Sequence, residues 1–205
     1  MKKSHHIYVL CIVLAVLLVG GYLYYRSAPD TGKEAEYFTT FTSPDATFQF
    51  MYPNLFQATG DTGELSQDWS SGTRHEGLVL AQVSISDTIQ PQTNFRDAQF
   101  RVGASSDPEA VVECYTEGNG SVVQSEQMVL NGTSFTKITY GDAGAGNFYD
   151  TTSYRTVHAD KCYVVEYTIH FTNIGNYSPD QGITEFDEDM VKGMLDAMAQ
   201  SFIFL

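Results

Sequence analysis

Cations are scarce in this chain. Eleven Lys and Arg stand against twenty-five Asp and Glu, a net formal charge of −14. Every carboxylate side chain lies beyond Arg26, so the segment from Ser27 onward carries −17, with eight Lys or Arg against all twenty-five acids. Gripping a phosphate backbone needs clustered cations, which excludes nucleic acid as an expected partner. An anionic lipid surface is disfavoured for the same reason. Such a charge keeps an exposed surface soluble and self-repelling, with recognition of a cationic partner as the alternative.

Motifs of catalysis and metal binding are missing too. His75, His158 and His170 are isolated, with no His-x-x-x-His pair to hold zinc. No Gly-x-Ser-x-Gly occurs, and local sequence places no base beside a serine or threonine. GDAGAGN, Gly141 to Asn147, has the glycine content of a phosphate loop but neither its Gly-Lys-Ser/Thr ending nor a following helix. It reads as a flexible connector between strands. The densest acidic cluster, Asp180, Glu185, Asp187, Glu188 and Asp189, lacks the Asp-x-Asp-x-Asp-Gly spacing of a calcium loop. A helix N-terminus accounts for the last three acids, with calcium binding as the alternative. No catalytic, cofactor-binding or metal-ligating residue is assigned from these patterns, and no cofactor is expected.

What is present begins with an apolar run. Lys2 and Lys3 precede Ile7 to Tyr25, nineteen uncharged residues. As a helix this run would measure about 28 Å, close to the hydrocarbon thickness of a bilayer. It passes through Gly20, Gly21 and the tyrosines Tyr22, Tyr24 and Tyr25 into Arg26, without a small-x-small cleavage site. The tyrosines suit the headgroup region. The expectation is an uncleaved signal anchor: residues 1–6 cytoplasmic, 7–25 transmembrane, 26–36 a linker, and 37–205 an extracytoplasmic domain. The localisation expected is therefore the inner or cell membrane, single-pass, with a cleaved signal peptide as the alternative. Cys11 lies inside the run and reads as a membrane-buried apolar residue.

Within 37–205 the period is mostly two. Thr47 to Tyr52 puts Phe48, Phe50 and Tyr52 on one face, ahead of Pro53, and Gly77 to Ser86 is a second strand. Asp107-Pro108 opens a short helix through EAVVECY, with Val111, Cys114 and Tyr115 sharing a face and Gly118-Asn119-Gly120 ending it. Two hairpins follow. One joins Ser125–Leu130 to Thr133–Tyr140 around Asn131-Gly132; the other joins Phe148–His158 to Cys162–Phe171 around Ala159-Asp160. In the last strand Tyr163, Val165, Tyr167, Ile169 and Phe171 share one side, and Cys162, Val164, Glu166, Thr168 and His170 the other. A helix then runs through DEDMVKGMLDAMAQ, with Asp187 as N-cap, a Phe186–Val191 staple and a buried stripe of Val191, Met194, Leu195 and Met198. SFIFL is a last strand or a docked tail. The fold class expected is α+β, an antiparallel meander with covering helices.

The opening SPDATFQFMYPNLF and the closing helix followed by SFIF resemble the two ends of PsbP-like domains, the extrinsic lumenal photosystem proteins and their bacterial relatives. DAGAGNFYDTTSYRTVHADKCY also looks like a segment of membrane-anchored bacterial proteins with this layout. The resemblance implies an antiparallel sheet with helices on its faces. It also implies a binding or assembly role without a catalytic centre. The partners expected are the membrane, through the N-terminal helix, and an envelope protein. An envelope hydrolase or metal-dependent enzyme, with a site assembled from residues distant in sequence, is the alternative.

Two cysteines, Cys114 and Cys162, fall in the domain. Disulfides persist outside the inner membrane, and a helix laid over the Cys162 face of the last long strand would bring the pair together. A structural disulfide is expected, with two buried free thiols as the alternative.

Overall fold

The large sheet grows outward from one long strand with two unlike faces. A computed structural model describes residues 37–60, 63–116 and 121–205, with backbone alone for 121–123. The expected N-terminal tail, transmembrane helix and linker, residues 1–36, lie outside the described residues, as does the expected terminator at 118–120. No helix among the described residues is long and apolar enough to cross a membrane.

In chain order the elements are β1 (Phe38–Thr42), β2 (Phe48–Pro53), β3 (Ala58–Gly60), β4 (Leu65–Ser66), β5 (Gly77–Ser86) and β6 (Phe95–Ser105). They continue with α1 (Pro108–Val112), β7 (Ser121–Leu130), β8 (Thr133–Gly144), β9 (Asn147–His158), β10 (Lys161–Thr172), α2 (Glu188–Gln200) and β11 (Ile203–Phe204). Among the described residues the fold is α+β, with antiparallel sheets and two α-helices. The large sheet has the order β3-β5-β6-β10-β9-β8-β7, and β4 pairs separately with β5. A second, three-stranded sheet has the order β1-β2-β11.

The meander β7-β8-β9-β10 follows from three two-residue turns whose residues adopt positive φ, as tight hairpins require. Asn131-Gly132 (47° and 86°) and Ala159-Asp160 (47° and 60°) are the two turns expected. Ala145-Gly146 (50° and 79°) is the third, and it corrects the reading of Gly141–Asn147 as a flexible connector. Gly141–Gly144 belong to β8, and Asn147 starts β9.

One face of the large sheet is the main core. Val83, Phe100, Val102, Phe135 and Val165 are completely buried there, packed against Phe48 and Phe50 of β2 and Val191, Leu195, Met198 and Ala199 of α2. The terminal helix thus buries Ala199 along with Val191, Leu195 and Met198, whereas Met194 is half-buried. Asp187 caps α2 by accepting from the Met190 N–H at 3.0 Å, and Phe186 packs on the core. The phenols of Tyr154 and Tyr167 both donate to Asp196 Oδ1 at 2.8 Å, tying α2 to the centre of the sheet. Burial raises the pKa of both phenols, so they remain neutral donors. SFIFL contributes β11, whose Ile203 and Phe204 pair with Gln49 and Phe48.

Candidate functional site

The opposite face is polar, and strand register arranges its side chains in rows across the sheet. One row runs Ser86, Asp97, His170, Tyr149, Asp142 through β5, β6, β10, β9 and β8. The next runs Ser84, Gln99, Thr168, Thr151, Tyr140, and the third Gln82, Arg101, Glu166, Ser153, Ile138. The first two rows are largely open: Ser84, Ser86, Asp97, Asp142 and Tyr149 are exposed, and only Thr151 is buried. From the third row onward the face is covered.

The cover is a strap, residues 67–76, together with α1 and the turn after it. Trp69 anchors the strap, fully buried, with its indole N–H donating to the His75 carbonyl at 2.9 Å. Two glycines make room for it. A Cβ on Gly103 would lie 2.2 Å from the Trp69 carbonyl oxygen, and one on Gly77 would lie 2.5 Å from its indole.

Beneath the strap lies a buried charge network. Glu166 has no exposed surface and accepts from the Ser71 hydroxyl at 2.6 Å and the Ser71 N–H at 3.1 Å, with Arg101 Nε 3.8 Å away. The Tyr140 hydroxyl lies 3.2 Å from Glu166 and 3.1 Å from the Ser71 carbonyl. Burial first, and the Glu166 charge second, raise the Tyr140 pKa and keep the phenol protonated. Arg155, also buried, donates to Ser153 Oγ and to the carbonyls of Ser71 and Thr116, each at 3.0 Å. Arg101 additionally donates to the Asp68 carbonyl and, at 2.6 Å, to Gln99 Oε1. Every charge here has partners, the condition under which burial is tolerated.

Cys114 and Cys162 are bonded in a disulfide under this cover, with Cα atoms 5.5 Å apart. The expected helix face needs correction. α1 ends at Val112, so Cys114 sits in the turn beyond it, and Ala110 rather than Tyr115 is its buried companion. Five residues are too few for the helix to persist through Tyr115, which is half-exposed and accepts the Val157 N–H at 3.0 Å.

Two of the hollows beside the strap contain a histidine. The larger, about 660 Å³, is lined by the disulfide, Trp69, Ser70, His75 and Arg155. Ser70 Oγ is buried and is the one such side-chain atom among the described residues without a hydrogen-bonding partner, so it has capacity for a polar group. His75 Nε2 pairs with Glu113 at 3.0 Å, and that bond, aided by Glu109 and Asp107, raises the imidazole pKa. The smaller hollow, about 380 Å³, lies over the two open rows. There His170 is held by Asp97 and Asn147, each at 2.9 Å, and stacks on Tyr149 with ring centroids 4.4 Å apart.

The remaining residues weighed from sequence fall elsewhere. His158 stacks on Phe204 at 3.9 Å. In the acidic cluster, Asp187 caps α2 and Glu188 pairs with Lys192 at 2.5 Å; Asp180 has its pKa lowered by Ser178. Among the described residues no three His, Cys, Asp or Glu side chains converge as a metal-ligand set. Sequence reasoning placed Glu166 on the mixed face of its strand but missed its network with Ser71, Arg101, Tyr140 and Arg155. The usable signal was a carboxylate between Val165 and Tyr167, in the middle of an otherwise apolar strand.

No family model matches this chain, and a search of curated proteins finds no similar one.

Proposed function

We propose that this chain is a membrane-anchored extracytoplasmic binding or assembly module of the PsbP-like type. Ile7–Tyr25 is its anchor, and the two open rows of the large sheet are its contact surface. The observation that carries this reading is the asymmetry of the sheet. One face is buried by α2 and the small sheet, while the other is braced at one end by a pinned strap and left open and polar beside it. The aromatic opening strand β2, with the terminal helix running into β11 at its side, supports the PsbP-like assignment. The Cys114–Cys162 bond supports an oxidising compartment.

A hydrolase reading gains less. Each histidine in the hollows has a carboxylate partner, but the ring nitrogens of His170 face Asp97 and Asn147, and His75 faces Glu113. Among the described residues no hydroxyl is hydrogen-bonded to either ring, as an activated nucleophile requires.

The test is photo-crosslinking in cells expressing the full chain. A photoreactive phenylalanine analogue at Tyr149 is expected to yield a discrete adduct in the membrane fraction, and the same group at Asp189 on α2 none. Recovery of the protein in the soluble fraction would overturn the anchor. Equal adducts from both positions, or none from Tyr149, would overturn the contact surface.

A further inference from the structure

The hollow over the open rows has a lining that selects among ligands. It holds the Tyr149 hydroxyl, the amide NH2 of Gln99, whose oxygen is taken by Arg101, and the carboxylates of Asp97 and Asp142. These stand above Thr151 and Thr168, which bond each other at 2.9 Å, and Tyr140, whose hydroxyl is committed to Glu166 and the Ser71 carbonyl. Among the described residues its only Lys or Arg is Arg101, which is committed to Glu166, Asp68 and Gln99. A phosphate or carboxylate ligand would therefore meet two carboxylates and no uncommitted guanidinium or ammonium group, which excludes anions. A polycation is the opposite case. The open rows carry two acids among ten positions, one of them already paired with His170, and the other groups are mostly hydroxyls. Acids dispersed over the whole domain do not single out this face.

Among neutral ligands, one dense in hydroxyls matches this lining. Tyr149 supplies what such a ligand needs beyond hydrogen bonds. Tyr149 is 37% exposed and one face of its ring is backed by His170 at an interplanar angle of 12°, with His170 fixed by Asp97 and Asn147. That makes a pre-oriented aromatic edge and face beside hydroxyl and carboxylate groups, against which the C–H side of a pyranose packs while its hydroxyls reach the rows. Across five strands each row is about 19 Å long, room for a few sugar rings end to end.

We infer that the two open rows around Tyr149 form a binding site for a neutral oligosaccharide chain. This rests on the reading of the open face as the contact surface and names the chemistry of what it contacts. The Gln99 NH2 donates to hydroxyls from the floor, and Thr168 offers the lone pair its bond with Thr151 leaves. Asp142 accepts a hydroxyl proton at the β8 end, Asp97 accepts one through the oxygen not bonded to His170, and Tyr149 sets the plane.

Calorimetric titration tests it, on the full-length protein in a detergent without a sugar headgroup. The probes are maltotetraose, cellotetraose, mannotetraose and chitotetraose, with tetralysine and inorganic phosphate beside them. At least one tetrasaccharide is expected to bind with a dissociation constant below about 1 mM. Tyr149→Ala should weaken it about tenfold, the loss of one aromatic contact. Thr168→Val should weaken it less, and Met190→Ala on α2 should leave it unchanged, all with the wild-type unfolding midpoint. Tyr149→Phe, which keeps the ring, should retain most of the affinity. Binding of none of the tetrasaccharides overturns the inference, as does saccharide binding indifferent to Tyr149→Ala, or binding of tetralysine or phosphate instead. If crosslinking from Tyr149 captures a protein while no saccharide binds, the contact surface stands and the saccharide falls.

Discussion

The two faces of the large sheet are built from the same strands and hold themselves together differently. On the covered face the contacts are apolar and contiguous, from Val83 and Phe100 through Val165 to Leu195 of α2. On the polar face the third row is held by directional bonds: Ser71, Arg101 and Tyr140 around Glu166, with Arg155 clasping Ser71 from the other side. Packing tolerates approximate shapes, whereas a buried ion network depends on each partner being in place. Alternation along β10 therefore puts the main apolar packing on one side and the disulfide and directional bonds on the other.

The largest effect expected from breaking this contrast comes from the apolar side. Phe100→Ala should cost about 4 kcal/mol, read as a lower urea midpoint with the slope unchanged. On the polar side the disulfide is the strongest single brace. The double change Cys114→Ser, Cys162→Ser should cost up to about 4 kcal/mol by opening a loop of 48 residues. Thiol labelling of the oxidised wild type, unfolded without reductant, should find neither cysteine. Next comes Gly103→Ala, whose methyl group displaces the Trp69 carbonyl and so lifts the strap. About 2 kcal/mol is expected, together with faster amide exchange at Ser71 and little change in α2.

The smallest effect sharpens the contrast through pH. The Glu113 bond raises the His75 pKa above its ordinary 6.5. The folded state thus binds the proton more tightly than the unfolded chain. The stability gained is complete below pH 6.5 and is lost as pH rises through the folded value. His75→Gln should lower the unfolding midpoint in mildly acidic buffer and match the wild type in alkaline buffer, whereas Phe100→Ala should show the same deficit in both.

Much of this was legible in the sequence, for reasons that differ from element to element. β10 and its hairpin to β9 announced themselves by strict alternation around two turn residues, and the disulfide by the two cysteines that 37–205 contains, one of them on the β10 face a helix was expected to cover. β6, a central strand, was not read. Its outward positions are Asp97, Gln99, Arg101 and Gly103, its inward ones include Ala98 and Ala104, and a register irregularity opposite His170/Phe171 interrupts the pattern. Low hydrophobic contrast hid it, although Ala98, Phe100 and Val102 do alternate with Asp97, Gln99 and Arg101. The Glu166 network was hidden by distance along the chain, since Ser71 and Glu166 are 95 residues apart. No local pattern encodes such a pairing; it exists once register has placed Arg101 and Ser153 on either side of Glu166.

One strand offers the most direct test, because neighbouring residues there point to opposite faces. On β5, Ile85 is 1% exposed on the apolar side and Ser84 is exposed on the polar side. Urea unfolding of Ile85→Asp and Ser84→Asp compares the two faces at a single step along the backbone. Ile85→Asp should abolish the cooperative transition or shift it by more than about 3 kcal/mol, while Ser84→Asp should stay within about 0.5 kcal/mol of the wild type. Similar losses from both would contradict the division of the sheet, at this end, into a face that packs the core and a face left open.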